Sequence, residues 1–245
     1  MAKEITAQQV FELLPRRKAD SHKGSYGKVM CLAGSARFRG AAALAAEGAL
    51  RAGAGLVTLA AVEPVIAAVA ARVPECVFLP CRQSGKAVLE KVRGMDVLLF
   101  GPGLGDTEDT AALLEQLGPS AGCALVLDAD GLNAAAKMDS LPRSPGLPLI
   151  LTPHPGEMAR LCGLTTAEVN AGREGIAAGY ARAEDCVVVL KGHRTIVAGP
   201  DGEVFVNPTG NPGLSRGGSG DILAGMIAGL AAQGLPPLDA AVCGV

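Results

Sequence analysis

The chain has 245 residues, 49% hydrophobic and 19% charged, which is enough for one substantial core and short for two full domains. Its formal net charge is −2 and its longest basic run is Arg16-Arg17-Lys18, which excludes the electrostatic footprint of a nucleic-acid binder. Aromatic residues make up only 3% and Trp is absent, so Ala, Val, Leu and Gly must fill the interior, which suits helices packed closely on a sheet.

The first residues, MAKEITAQQVFELLP, carry Glu4 and Glu12 and have no long apolar core, unlike a signal peptide. No later stretch is long and apolar enough to span a membrane, since 222–235 is short and broken by glycines. A soluble, cytoplasmic protein is expected. Cys31, Cys76, Cys81, Cys123, Cys162, Cys186 and Cys243 form no CxxC pair, and most lie in apolar strand-like runs, so buried free thiols are expected.

Apolar runs at residues 28–33, 56–60, 97–100, 124–127, 149–151 and 186–190 predict strands. Several are continuous in Val, Leu and Ile, as parallel strands buried on both faces require. Between them, residues 40–52, 64–71, 108–117, 156–161, 167–183 and 221–233 predict helices. The alternation predicts an α/β fold with helices on both faces of a mostly parallel sheet. Residues 195–198 and 203–206, joined by Gly199-Pro200-Asp201-Gly202, predict an antiparallel hairpin. With no linker and no repeat, residues 1–245 are expected to form a single domain. The closing PLDAAVCGV begins another apolar helix, with Asp239 near its start. It lacks a stop signal, so the helix is frayed or the chain is cut from a longer one.

In an open parallel sheet, ligands bind beyond the carboxyl ends of the strands. The stretches following successive predicted strands are GSARFRGAA, GPGLG, DADGLN, TPHPGE and KGHRT. Glycines, acids, a histidine and a lysine thus recur at one edge. Gly101-Pro102-Gly103-Leu104-Gly105 permits close backbone approach to a ligand, although a plain strand-to-helix turn explains it when taken alone. Asp130 is expected to cap the short helix that follows it, and Asp128 to be a magnesium-shell or structural carboxylate. His154, held between Pro153 and Pro155, sits in a stiff turn suited to touching a ligand, while Glu157 suits a first helical turn. Lys191 and Arg194 suit phosphate oxygens, and Gly192 permits backbone contact, unless the stretch is an ordinary charged loop.

The last such segment is GLSRGGSGDILAGMIAGLAAQG. Gly217, Gly218 and Gly220 let backbone wrap an anion at a helix start, where unpaired N–H groups attract it. Asp221 or Ser219 would each serve as a cap, but glycine on both sides of the serine exceeds what capping needs. A carboxylate beside a phosphate repels it unless it accepts a proton or faces magnesium, and both roles fit phosphoryl transfer to a hydroxyl. No Lys-Ser pair follows the glycines, so this is not a P-loop.

The segments HKGSYGKVMCLAGS, GPGLG, LDADGLN, LTPHPGEMARL, VVLKGHRTIVAGPDG and NPTGNPGLSRGGSGDILAGMIAGLAAQG occur in this order. Together they closely resemble the ADP/ATP-dependent NAD(P)H-hydrate dehydratases of the ribokinase-like superfamily, from about Thr6 onward. The resemblance implies a ribokinase-like three-layer sandwich and a repair lyase. Such an enzyme phosphorylates the ring hydroxyl of the S form of hydrated NADH or NADPH from ADP or ATP with Mg2+, then eliminates phosphate. ADP is favoured by the prokaryotic look of the Ala- and Gly-rich composition. The resemblance makes Asp221 the base and Gly218, Ser219 and Gly220 the anion hole. It places Lys191, Gly192, His193, Arg194, Thr195 and Gly220 on the nucleotide, and Ala41, Gly103, His154 and Asp221 on the hydrated dinucleotide. Asn207, Thr209, Gly210 and Asn211 match a polar loop near the transferred group. It also implies a homotetramer and a separate NAD(P)HX epimerase as functional partner, since that domain is absent from this sequence. Family members continue past the segment matching 239–245 with a further helix and tail, so a truncated C-terminus is expected. Two alternatives remain: a small-molecule kinase of the superfamily, of hydroxyethylthiazole or hydroxymethylpyrimidine type, and a non-catalytic nucleotide binder. Asp221 argues against the second, because binding alone would be better without its charge.

Overall fold

The computed structural model describes residues 2–81 and 86–245. Ten strands occur among them: β1 (Lys3–Glu4), β2 (Lys28–Leu32), β3 (Leu56–Ala61), β4 (Val77–Pro80), β5 (Val97–Phe100), β6 (Ala124–Leu127), β7 (Leu149–Leu151), β8 (Val187–Leu190), β9 (Ile196–Ala198) and β10 (Val204–Val206). Between and after them run α1 (Ala7–Leu13), α2 (Arg39–Arg51), α3 (Glu63–Ala70), α4 (Lys86–Val92), α5 (Glu108–Leu117) and α6 (Asp130–Ala135). They continue with α7 (Pro155–Cys162), α8 (Thr166–Ala171), α9 (Arg173–Ala183), α10 (Ser219–Ala232) and α11 (Pro237–Gly244).

All these strands join one sheet in the order β1-β10-β9-β8-β7-β6-β5-β2-β3-β4. Pairing is parallel except where β9 meets β8 and β10, so the expected hairpin forms and supplies the antiparallel part. Because side chains alternate across a strand, Val29 and Cys31 enter one core while Met30 and Leu32 enter the other. Val187 and Val189 are likewise divided from Val188 and Leu190. Helices α2, α3, α10 and α11 cover one face, and α4 to α9 the other, giving three layers.

Helices α2 and α10 pack at backbone distance. A Cβ added at Gly225 would lie 2.1 Å from the Ala45 carbonyl oxygen, and one at Gly229 2.5 Å from that of Ala49. Contacts advance along both helices together, so their N-termini lie at the same end, beyond the carboxyl ends of the strands. Gly225→Ala is expected to cost about 1–3 kcal/mol through overpacking. Chemical denaturation checks this, and an unchanged midpoint would show that the helices slide apart freely.

Two expectations need correction. The helix predicted over 167–183 is two helices, parted at Gly172. The first of them, α8, starts at Thr166 and is capped by Thr165, whose side chain closes a reciprocal box with Glu168. The cysteines are all free, but they are not all buried: Cys81, Cys162 and Cys243 are only half-buried. The short elements β1, β4, α1 and α4 give no comparable sequence signal. Strand β4, for example, is a half-exposed edge of four residues ending in Pro80, too short to show a period. Among the described residues no helix is long and apolar enough to cross a membrane.

Candidate active site

Strand order reverses at β2, which lies between β3 and β5, so the loops after β2 and β5 flank a topological switch point. There Gly34 N donates to Pro102 O at 2.8 Å, tying the two loops together. Gly101 has φ +127°, and a Cβ there would sit 1.9 Å from the Asp128 carbonyl oxygen. The loop is thus more than a plain turn: it fits against the end of β6. Gly101→Ala is expected to cost about 2–3 kcal/mol in strain and displacement and to move Asp128. Thermal unfolding together with nucleotide titration checks both effects. A Cβ on Gly103 would meet Ala41 Cβ at 2.7 Å, so these two expected substrate contacts are neighbours.

After β6, the expected cap is not there. The N-cap position of α6 is Ala129, with φ +50° and no side-chain cap, while Asp130 Oδ2 accepts a bond from Gly105 N at 2.8 Å. Asp130 therefore holds the GPGLG loop. Asp128 is 1% exposed, and its Oδ1 accepts from Thr152 Oγ1 at 2.7 Å and from Lys191 Nζ at 2.6 Å. The structural half of its expected role is the one the geometry supports.

After β7, His154 is the N-cap of α7. Its Nδ1 accepts from the Gly156 and Glu157 amides at 3.0 and 3.3 Å, and Glu157 Oε2 accepts from His154 N at 2.7 Å. This closes a capping box built with histidine. Burial, then Lys191 and Arg160, hold the imidazole pKa below its usual value. With Nδ1 accepting, the neutral ring carries its proton on Nε2, 3.3 Å from Glu157 Oε1. Only Nε2 remains for a ligand. Glu157 serves as more than a dipole partner: it is 5% exposed, and its Oε2 is 3.8 Å from Lys191 Nζ. Burial raises its pKa, and Lys191 opposes the rise.

After β8, the five residues expected on the nucleotide separate. Lys191 turns inward to Asp128 and Glu157; burial alone would depress its pKa, but Asp128, Glu157 and Asp221 outweigh this and the net direction is up. It is thus an anchored ammonium rather than a free one. The Arg194 guanidinium turns instead to Glu4 Oε1 at 2.8 Å, away from this cluster. Gly192 and His193 are exposed, and Thr195 Oγ1 donates to Gly192 O at 2.9 Å.

Helix α10 begins at Ser219, two residues before the expected start. Its N-cap is Gly218 at φ +95°, with no side-chain cap, so Asp221 is not the cap. Nor is Ser219, whose Oγ is buried without a hydrogen-bond partner. A Cβ on Gly220 would lie 3.4 Å from Lys191 Nζ, so the first turn of α10 rests on that ammonium. Burial pushes the Asp221 carboxyl up to about 6, Asp128 adds to this, and Lys191 opposes it. In the loop before α10, Asn207 Nδ2 donates to Val245 O at 2.7 Å and its Oδ1 accepts from Thr209 N and Oγ1 at 3.0 and 2.8 Å. Asn211 Oδ1 accepts from Gly213 N at 2.9 Å. Asn207 thus also ties its loop to Val245 at the end of α11, while Thr209 and Asn211 bond within the loop.

The structure therefore gathers Asp221, Gly220, Lys191, Asp128 and Glu157, with His154 joined through Glu157. Ala41 and Gly103 lie together where the switch-point loops meet. Arg173 escapes sequence reasoning because it is a charged residue at a helix start outside every motif, and the hydroxyl of Thr152, although it opens TPHPGE, carries no signal of its bond to Asp128. Chemically, the site offers helix-start amides, one fixed cation and a carboxyl pushed up to about 6 by burial, which is an arrangement for an anion and for taking a proton beside it.

The mostly parallel sheet with its switch point between β2 and β5 and its glycine-Asp helix start defines a ribokinase-like α/β protein. A ribokinase-like superfamily protein from Enterococcus faecalis superposes with a TM-score of 0.86 at 28% identity, covering 99% of this chain and 84% of its own. A family model described as NAD(P)H-hydrate dehydratase matches residues 29–245, and the chain belongs to that family. It is 46% identical to the bifunctional NAD(P)H-hydrate repair enzyme of Moorella thermoacetica over 98% of this chain, and spans about half (47%) of that relative's length. The ADP/ATP-dependent NAD(P)H-hydrate dehydratase of Bacillus subtilis, co-crystallised with ATP/Mg2+, matches with a TM-score of 0.87 and 36% identity. That match covers 99% of this chain and 86% of the Bacillus chain.

Proposed function

We propose that the chain catalyses ADP-dependent dehydration of the S form of NAD(P)H hydrate to NAD(P)H. The observation that carries the reading is Asp221, a half-buried carboxyl pushed up to about 6 in the first turn of α10, beside the Asp128-anchored Lys191. Family membership and the names of the similar proteins support the substrate and the nucleotide.

In this reading the Asp221 carboxylate takes the proton of the ring hydroxyl as its oxygen attacks the terminal phosphoryl group of ADP. The new O–P bond forms, the bond to AMP breaks, and AMP leaves. Amides at Gly218, Ser219 and Gly220, with Lys191 Nζ, face the phosphoryl oxygens. Hydroxide is a poor leaving group and phosphate a good one, so the ring carbon then releases phosphate. Loss of a ring proton restores the double bond. Gly192, His193, Arg194 and Thr195 hold the nucleotide, while Ala41, Gly103 and His154 hold the dinucleotide.

Among the described residues no group of three or more His, Cys, Asp or Glu side chains could hold a metal ion, and Asp128 Oδ1 is already engaged. This donor set fits a magnesium ion that arrives on the nucleotide's phosphates, where it would neutralise their charge, rather than a resident one. A homotetramer, a cytoplasmic setting and an epimerase activity that supplies the S form complete the reading.

Incubation of hydrated NADH with ADP and magnesium tests it. Absorbance of the reduced nicotinamide should return for the S epimer only, with AMP and phosphate released in step. A stable phosphorylated alcohol would make the chain a kinase, and nucleotide binding without turnover would make it a binder.

A further inference from the structure

Arg173, the first residue of α9, lies outside every motif yet reaches into the 191–195 loop. Its Nη1 donates to His193 O at 2.6 Å, and its Nη2 donates to Leu190 O at 3.0 Å and Lys191 O at 3.3 Å. One guanidinium thus pins three carbonyls in four consecutive residues. In a trans peptide the C=O and the following N–H point in opposite directions. Carbonyls drawn toward Arg173 therefore turn the amides of Lys191, Gly192 and Arg194 the other way. The first of these follows the rule: Lys191 N donates to Pro153 O at 2.8 Å, in the loop after β7 that forms the site. The backbone bends needed for this are unusual. Gly192 has φ +145° and the non-glycine Arg194 has φ +56°, and a Cβ on Gly192 would lie 2.9 Å from Arg173 Nη2. The planar fork suits three carbonyls spread over two nitrogens; a point-like ammonium cannot span them.

We propose that Arg173 is a positioning residue for the nucleotide, acting through the loop: it turns the Gly192 and Arg194 amides toward the phosphates of a bound nucleoside diphosphate. The inference rests on the nucleotide assignment made above. It predicts a defect in binding, not in chemistry, because the hydrogen bonds of Arg173 go to the loop and not to Asp221 or the anion loop.

Calorimetric titration of the full chain with ADP, alongside steady-state turnover, tests this. Arg173→Ala should weaken ADP binding about tenfold or more, the worth of one charge-assisted hydrogen bond. It should raise KM for ADP while leaving kcat at saturating ADP within about threefold, and millimolar guanidinium should restore part of the affinity. Arg173→Lys should recover less than half of the loss. If Arg173→Ala fails to fold, Arg173→Lys carries the test and should show the same split, with a smaller rise in KM for ADP. Unchanged ADP affinity in a folded variant overturns the inference, as does a fall in kcat with no change in KM. A wild-type chain that binds ADP but does not dehydrate the hydrate would remove the dehydratase reading and leave this inference standing.

Discussion

Asp221→Asn is expected to lower turnover about 10²–10⁴-fold, the usual contribution of a positioned base. The amide keeps the shape of the first turn of α10 but cannot take the hydroxyl proton. ADP affinity should stay the same or tighten, since a negative charge beside the phosphates is removed. In the wild type the carboxylate must be ionised to act, so kcat/KM should rise with pH and level off above about 6. The stability effect has the opposite sign to the activity effect. A carboxyl whose folded pKa lies above its ordinary 3.8 binds its proton more tightly when folded. The wild-type fold therefore gains stability as pH falls through about 6 toward 3.8, and carries a penalty above that window. Asp221→Asn should remove the penalty, adding roughly 1–2 kcal/mol above pH 6 once solvent screening of the partly exposed group is allowed for. For a domain of this size that is a few degrees in Tm. Turnover equal to wild type would end the base assignment; a lower Tm at about pH 8, above the folded pKa, would end the electrostatic account.

Lys191→Met should be the most destabilising of the conservative site substitutions. It leaves Asp128, 1% exposed, with Thr152 Oγ1 as the one remaining partner of Oδ1 among the described residues. Removing one member of a buried pair costs about 3–5 kcal/mol because the other charge stays buried. For a domain of this length, that is on the order of 10 °C in Tm. Adding Asp128→Asn to Lys191→Met should recover most of the stability, because neutral groups of similar volume replace both charges. It should not recover ADP affinity, because the ammonium beneath Gly220 is gone in both variants. Scanning calorimetry and ADP titration of the single and double variants separate the two effects. Additive losses of stability would mean that Asp128 and Lys191 act independently, contrary to their 2.6 Å contact.

Much of this protein is visible without coordinates because its signals are local. Val97–Phe100 and Ala124–Leu127 are continuous apolar runs, and the demand that a central parallel strand be apolar on both faces bounds them correctly. The glycines before Asp221 and the prolines around His154 also announce themselves, since each restricts backbone geometry within a few residues. Helix α9 is less legible. A single glycine inside a helical pattern is compatible with an unbroken helix, so Gly172 does not by itself declare that α8 ends there and α9 begins.

From the amino-acid order alone came the α/β class, the strand-end loops and the glycine-Asp helix start, all of which depend on spacing along the chain. Tertiary structure decided which partners those residues take. Lys191 pairs with Asp128, 63 residues away, instead of standing free, and Asp130 holds Gly105, 25 residues away, instead of capping its helix. The reason is strand register: Leu127 pairs with Leu151, and Leu151 with Val188, so the residues that follow β6, β7 and β8 arrive side by side at one edge. That alignment belongs to the sheet as a whole, and no stretch of sequence carries it by itself.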